Sequence, residues 1–177
     1  MILPDICVVD TNVPKVANLA IAPDPDSDIG SDCILACVDA VEHVMKHRLV
    51  VDEGDEIFRE YLRELPMKGQ GGIGYRFMKW VHDYRWSWPD SQRVAIHRKG
   101  NSYREFPKNS GFKKFDPSDR KFVAVANAHK DKPPILQAVD SKWVGWEDSL
   151  AKAGIHVCFL CPKYIKAKYK KKMKNRV

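Results

Sequence analysis

Ile6-Cys7-Val8-Val9 followed by Asp10-Thr11-Asn12 is the stretch that decides the fold. Four apolar residues in a row, without polar alternation, match a strand buried on both faces. Such strands belong to parallel sheets covered by helices, and these sheets bind ligands beyond the carboxyl ends of their strands. Asp10 stands at that end. A carboxylate there packs poorly and is well placed for a ligand.

A second stretch has the same form. Ile135-Leu136-Gln137-Ala138-Val139 runs into Asp140-Ser141. Between the two, Phe115-Asp116-Pro117-Ser118-Asp119-Arg120-Lys121-Phe122 opens a helical pattern that continues to about Ala128. Two strand-end aspartates and an acidic helix start predict converging carboxylates. Converging carboxylates predict a divalent cation.

The segments around these stretches alternate between strand and helix. From Cys33 to Lys46, Ile34, Val38, Val41, Val44 and Met45 recur at helical spacing. Leu49-Val50-Val51 predicts a second strand. Asp52 then caps a helix with Phe58, Tyr61, Leu62 and Leu65 on one face, and Pro66 stops it. Tyr75 to Trp86 predicts a helix with Phe77, Val81 and Tyr84 on a face. Arg93 to Ile96 and Ser102 to Phe106, joined by Lys99-Gly100-Asn101, predict a hairpin or an extended excursion. A helix over Trp146 to Ala153 ends at Gly154, and Ile155 to Leu160 forms the last strand. This alternation predicts an α/β fold, a three-layer α/β/α, Rossmann-like arrangement with a central parallel sheet. Residues 1–162 form one domain with a long insertion at 66–110, and 163–177 form a basic C-terminal tail.

Bulk properties set the remaining bounds. A chain of 177 residues suits one domain with a sizeable core. Hydrophobic content of 44% and charged content of 30% predict a soluble globular protein. The longest apolar runs are strand-sized, so no membrane span is expected. No basic region leads into an apolar stretch at the N-terminus, so no secretory signal is expected. Five cysteines predict reduced thiols in a cytoplasmic protein. The net charge of +7 is uneven: Lys163 to Val177 holds eight Lys/Arg and no acid. The remainder carries 22 basic residues against 23 acidic ones, a net −1. Such a tail suits a polyanion such as nucleic acid, the alternative being a solubilising, frayed terminus.

Each carboxylate has a competing explanation. Asp10 could serve a turn before Pro14; as a ligand its rotamer would be held by Thr11 and Asn12. Asp116 could be an N-cap with Pro117 and Asp119 in the first helical turn, where the helix dipole favours an acid. Asp119 also lies three residues before Phe122, at the head of the apolar stripe Phe122, Val125, Ala126 and His129. Asp140 could be a loop residue. For a fourth acid the residues leave two choices: Asp52 at the second strand's end, itself a natural N-cap, or Glu60 in the following helix, between Ile57 and Tyr61 at the border of its apolar face.

In this order, Asp10-Thr11-Asn12, Glu60-Tyr61, Asp119-Arg120-Lys121-Phe122 and Asp140 resemble the PIN domain. That is a compact α/β nuclease family that includes ribonucleases of bacterial toxin–antitoxin pairs. The resemblance covers residues 5 to 161 and implies Asp10, Glu60, Asp119 and Asp140 as catalytic metal ligands for Mg²⁺ or Mn²⁺. It favours Glu60 over Asp52, because the family's second acid sits within a helix. It implies Thr11, Asn12 and Ser141 as supporting residues, and a ribonuclease acting on single-stranded or structured RNA in the cytoplasm. An antitoxin or other protein partner and a homo-oligomer are the implied associations; an inactive PIN-like RNA- or protein-binding scaffold is the rival. Two departures stand out: the length of the Pro66–Asn109 stretch, and Lys142 where related nucleases carry a further acid.

Beside Asp119, Arg120 and Lys121 are candidates for phosphate contacts, with a solvated helix face as the alternative. Aromatic and basic residues interleave from Tyr75 to Trp88, as on a stacking surface for RNA, although Trp80 and Tyr84 also suit a core. The Gly69–Gly74 loop lacks the Gly-Lys-Ser/Thr of a phosphate loop. Cys33, Cys37, Cys158 and Cys161 have the spacing of a Cys₄ zinc site, with small buried apolar thiols as the more ordinary alternative. His43 and His47 share a helix face without an obvious third ligand.

Overall fold

The computed structural model describes residues 2–65, 67, 71–108 and 110–174. The predicted helix stop at Pro66, residues 69–70 of the glycine loop and Arg176 of the basic tail lie outside them.

Strand β1 (Ile6–Val9) leads into α1 (Asn12–Asn18) and α2 (Ser31–Lys46), then β2 (Arg48–Leu49) and β3 (Val51–Asp52). Helices α3 (Glu56–Glu64) and α4 (Ile73–Tyr84) follow, then β4 (Arg93–Val94), β5 (Arg98–Lys99) and β6 (Ser102–Tyr103). The chain closes with α5 (Arg120–Ala128), β7 (Ile135–Gln137), a 3₁₀ segment at Ser141–Trp146, α6 (Glu147–Lys152), β8 (Val157–Phe159) and α7 (Pro162–Lys174). A parallel four-stranded sheet runs in the order β2-β1-β7-β8. The extended segment 48–52 pairs with β1 through its first half and with β4, also in parallel, through its second. The protein is thus mixed α/β with a central parallel sheet and, among the described residues, seven α-helices. It is compatible with three layers.

The apolar run that predicts β1 has its cause in the packing. Cys7, Val8 and Val9 are all buried, as are Ile135, Leu136 and Gln137 beside them. Helices α1, α2 and α4 pack together, while α5 packs on β1 and β7. Both sheet faces are therefore dry, which favours continuous apolar strands. Because β2 lies on one side of β1 and β7 on the other, strand order reverses at β1. The crevice beyond the carboxyl ends of β1 and β7 is the switch point where open α/β sheets bind ligands.

Several local expectations change. Arg93–Val94 joins the edge of the parallel sheet, and the hairpin forms instead between β5 and β6 around Gly100-Asn101. Gly100 adopts φ +57, which a two-residue hairpin turn requires and glycine supplies without strain. Leu62 and Tyr84 fall on exposed faces, whereas Ile57 joins Phe58, Tyr61 and Leu65 in the core. The predicted helix start at Pro117 moves to Arg120. The basic tail forms α7, which packs against the 3₁₀ segment and buries Ile165 completely. Gly145 permits that approach, since a Cβ there would meet the Tyr169 hydroxyl at 2.9 Å. The expectation of reduced thiols is overturned by a Cys33–Cys161 disulfide. The fold brings the first turn of α2 to the end of β8, a pairing that an odd cysteine count cannot reveal. No helix among the described residues is long and apolar enough to cross a membrane.

Candidate metal centre

Asp10 ends β1 at the switch point and is 5% exposed. Its Oδ1 accepts the backbone N–H of Asn12 at 2.9 Å, a short loop bond that fixes the carboxylate. The neighbours do less direct work than expected. The Asn12 amide turns to β7, where its Oδ1 accepts the N–H groups of Ala138 (2.9 Å) and Val139 (3.4 Å). That bond pins the ends of β1 and β7 together, and so sets Asp140 relative to Asp10. The buried Thr11 hydroxyl donates to Glu60 Oε1 at 2.6 Å rather than to Asp10.

Glu60 and Asp52 now separate on geometry. Both oxygens of Asp52 are used at the start of α3, accepting the N–H of Glu56 (2.7 Å) and of Ile57 (2.8 Å). Asp52 caps the helix, as its position at a strand-to-helix joint allows. Glu60 instead reaches across to Thr11 and forms an ion pair with Lys121. The next residue holds this end of α3 in place: the buried Tyr61 hydroxyl donates to the Val9 carbonyl at 2.5 Å, one residue before Asp10.

Asp119 occupies the N-cap position of α5 yet makes no side-chain cap bond. The capping explanation for this acid therefore fails. Asp116 takes the local role, accepting from the Ser118 N–H and hydroxyl (3.1 and 2.8 Å) and from Lys142 Nζ (2.8 Å). Among the described residues, the Asp119 carboxylate receives the Ser118 hydroxyl alone, at 3.3 Å. Asp140 precedes the 3₁₀ segment, and its Oδ1 accepts the Lys142 N–H at 3.0 Å.

Electrostatics tie the acids into one group. Burial pushes the Asp10 carboxyl well above the usual carboxylate range; the Asp119 charge raises it further, as do Glu60 and Asp140, against the Asn12 hydrogen bond. Asp119 is raised to about 7, first by burial, then by Asp140, Asp116 and Glu60, with Lys121 opposing. Charges of one sign buried together are destabilising, and a cation relieves them. Lys121 supplies one such cation. It is 7% exposed, pairs with Glu60 and donates to the Ser118 carbonyl.

The donors of the site are carboxylates, which suit an oxygen-binding cation such as Mg²⁺ or Mn²⁺. Next to Asp140 in sequence, Ser141 Oγ is a buried oxygen without a hydrogen-bond partner among the described residues. Arg120 Nε, Gln137 Nε2 and Trp143 Nε1 are also without partners, but as N–H donors they offer a cation nothing. The acids are looser than a filled cage, however. Among the described residues, groups of three ligand atoms within 4.8 Å are Cys33, Cys37 and Cys161, and Asp5, His43 and His47. Asp5 is thus the third group that the two histidines lacked in the sequence, although His43 Nε2 already bonds the Pro4 carbonyl (3.1 Å) and His47 Nδ1 the His43 carbonyl (2.8 Å).

The neighbouring cations are differently employed from the expectation. Arg120 donates to the Asn101 and Phe115 carbonyls and lies over the Phe106 ring, so it braces the loop ahead of α5. Lys121 is internal rather than on a solvated face. Two clefts meet at Pro117. One of about 420 Å³ is lined by Glu60, Lys121, Arg63 and Arg98. The other, about 560 Å³, is lined by Lys114, Lys142, Lys172, Trp146 and Tyr169, so α7 contributes to it directly. In the aromatic segment, Trp80 packs on Trp88 at 4.9 Å, while the exposed Trp86 lies between Arg85 and Arg93. No family model, no curated protein and no solved structure matches this chain.

Proposed function

We propose that this chain is a PIN-like ribonuclease that uses Mg²⁺ or Mn²⁺ to hydrolyse phosphodiester bonds of RNA. The observation that carries the reading is the gathering of Asp10, Asp119, Glu60 and Asp140 at the sheet's switch point, with Asp10 and Asp119 raised by burial and mutual repulsion. Asp10 and Asp140 would hold the cation, with Asp119 and Glu60 beside them. A cation held by these residues would supply Lewis-acid polarisation of a phosphoryl oxygen and a bound water of lowered pKa for in-line attack. Asn12 keeps the two strand ends in register, Thr11 orients Glu60, and Lys121 offsets the charge of Glu60. The lysines of the wider cleft, with Trp146 and Tyr169, suit a strand of phosphates and bases entering past Pro117.

One observation favours a second reading, an inactive PIN-like scaffold that binds RNA or protein. Lys121 places an internal ammonium on Glu60, so part of the acid charge is already neutralised. Cleavage separates the two. Labelled single-stranded RNA is incubated with Mn²⁺ or Mg²⁺ and either wild type or the Asp10→Asn/Asp119→Asn double variant. Cleavage by wild type alone supports the nuclease; binding by both proteins without cleavage supports the scaffold.

A further inference from the structure

We propose that Cys33, Cys37 and Cys161 form, once the Cys33–Cys161 disulfide is reduced, a three-thiolate site for Zn²⁺, remote in chemistry from the carboxylate centre. Their sulfur atoms all lie within 4.8 Å of one another, and all three residues are buried. A tetrahedral zinc with bonds of about 2.3 Å holds its sulfurs about 3.8 Å apart, so the cluster is close to ligating size. Cys33 and Cys37 stand one helical turn apart on α2, and Cys161 faces them from the end of β8.

The surroundings favour thiolates at two of the three positions. Cys33 is the third residue of the sixteen-residue α2. Cys161 immediately precedes the thirteen-residue α7, and its carbonyl accepts the Ile165 N–H. Both sulfurs therefore sit at helix N-termini, where the helix dipole stabilises negative charge. Three thiolates and Zn²⁺ carry a net −1, which the two helix dipoles favour, while the adjacent Lys163 and Asp32 balance each other. A cleft of about 370 Å³ bordered by Cys33, Cys161, Asp32 and Lys163 gives access and leaves room for a fourth, light-atom ligand. Cys37 is fully buried, so zinc binding there displaces the thiol proton.

The two states exclude each other by atom balance. A dithiol reductant gives two electrons and two protons to the Cys33–Cys161 bond, yielding two thiols. The three thiols then release three protons as Zn²⁺ binds. Oxidation of the pair removes two of the three ligands. In either state the first turn of α2 stays tied to the root of α7, the helix that supplies Tyr169 and Lys172 to the cleft beside the acids.

The test uses the full chain, reduced anaerobically, freed of reductant and loaded with one equivalent of Zn²⁺. X-ray absorption at the zinc edge reads the ligands directly in the wild-type protein. Three sulfurs at about 2.3 Å with one oxygen or nitrogen is the expected shell; any other sulfur count overturns the assignment. Cys37→Ser should reduce the count to two and weaken zinc affinity by at least about tenfold. The oxidised protein should lose this three-sulfur shell, and a three-sulfur shell with the disulfide intact overturns the proposal.

Discussion

Replacing Asp119 by Asn removes a charge that the metal-free protein tolerates poorly. Its carboxyl is raised to about 7 from an ordinary value of 3.8, chiefly by burial and the Asp140 charge. A raised carboxyl stabilises the fold fully below the unfolded value. That contribution is lost as pH rises towards the folded value, from about 4 to about 7. The part above pH 5 spans about two pH units, worth roughly 3 kcal/mol at about 1.36 kcal/mol per unit. Solvent screening and the weak Ser118 hydrogen bond bring the expected value to roughly 1–2 kcal/mol. In a chain of this size that is about 2–8 °C in melting temperature. Asp116 and Glu56, whose carboxyls are held below their ordinary values, have already ionised at pH 5 and leave this interval undisturbed. Thermal and urea unfolding in EDTA at pH 5 and pH 8 should show wild type losing stability with pH, and Asp119→Asn losing less. The variant should be the more stable protein at pH 8. Equal pH slopes in the two proteins, or a variant less stable at pH 8, would refute the argument that Asp119 is a buried, uncompensated acid.

Asp52 and Asp10 should respond in opposite ways. Asp52→Ala removes the cap of α3 and should cost about 1–2 kcal/mol while keeping the rise in melting temperature that Mn²⁺ produces. Asp10→Asn should leave the fold intact and abolish most of that rise, as read by thermal melts with and without Mn²⁺. Lys121→Met strips the internal cation from Glu60; with side chains only 9% and 14% exposed, the loss should be about 3 kcal/mol at neutral pH. Adding Glu60→Gln should recover most of it in a double-variant cycle by urea unfolding, and a single-variant cost under about 0.5 kcal/mol would show the pair to be idle.

The strand-end pair was legible because burial on both faces leaves a plain mark: Val8, Val9, Ile135 and Leu136 are apolar without alternation, and Asp10 and Asp140 interrupt that pattern. Glu60 was not separable from Asp52 by residue type, since one acid ends the strand before α3 and the other lies within that helix, and either could face the strand ends. Only the bonds from Glu56 and Ile57 to Asp52 reveal which one is spent on capping. The helix at Arg120 begins later than Pro117 predicts because Asp116 closes a tight loop on Ser118 and pairs with Lys142. For Lys121 the sequence offers a phosphate contact or a solvated helix face, because a lone lysine carries no sign of burial; its ion-pair partner Glu60 lies on a helix about sixty residues earlier. Strand β4 has two residues and no apolar alternation, so its place in the sheet is set by tertiary pairing with β3. The disulfide is equally non-local, joining residues 128 positions apart.

The most direct test of the carboxylate centre is anomalous scattering from a crystal soaked in Mn²⁺ at neutral pH. A peak bounded by Asp10 and Asp140 is expected, with Asp119 or Glu60 directed at it and Asp52 still bonded to Glu56 and Ile57. A soaked crystal with no peak at the ends of β1 and β7, or with the cation held by Asp52, would contradict it.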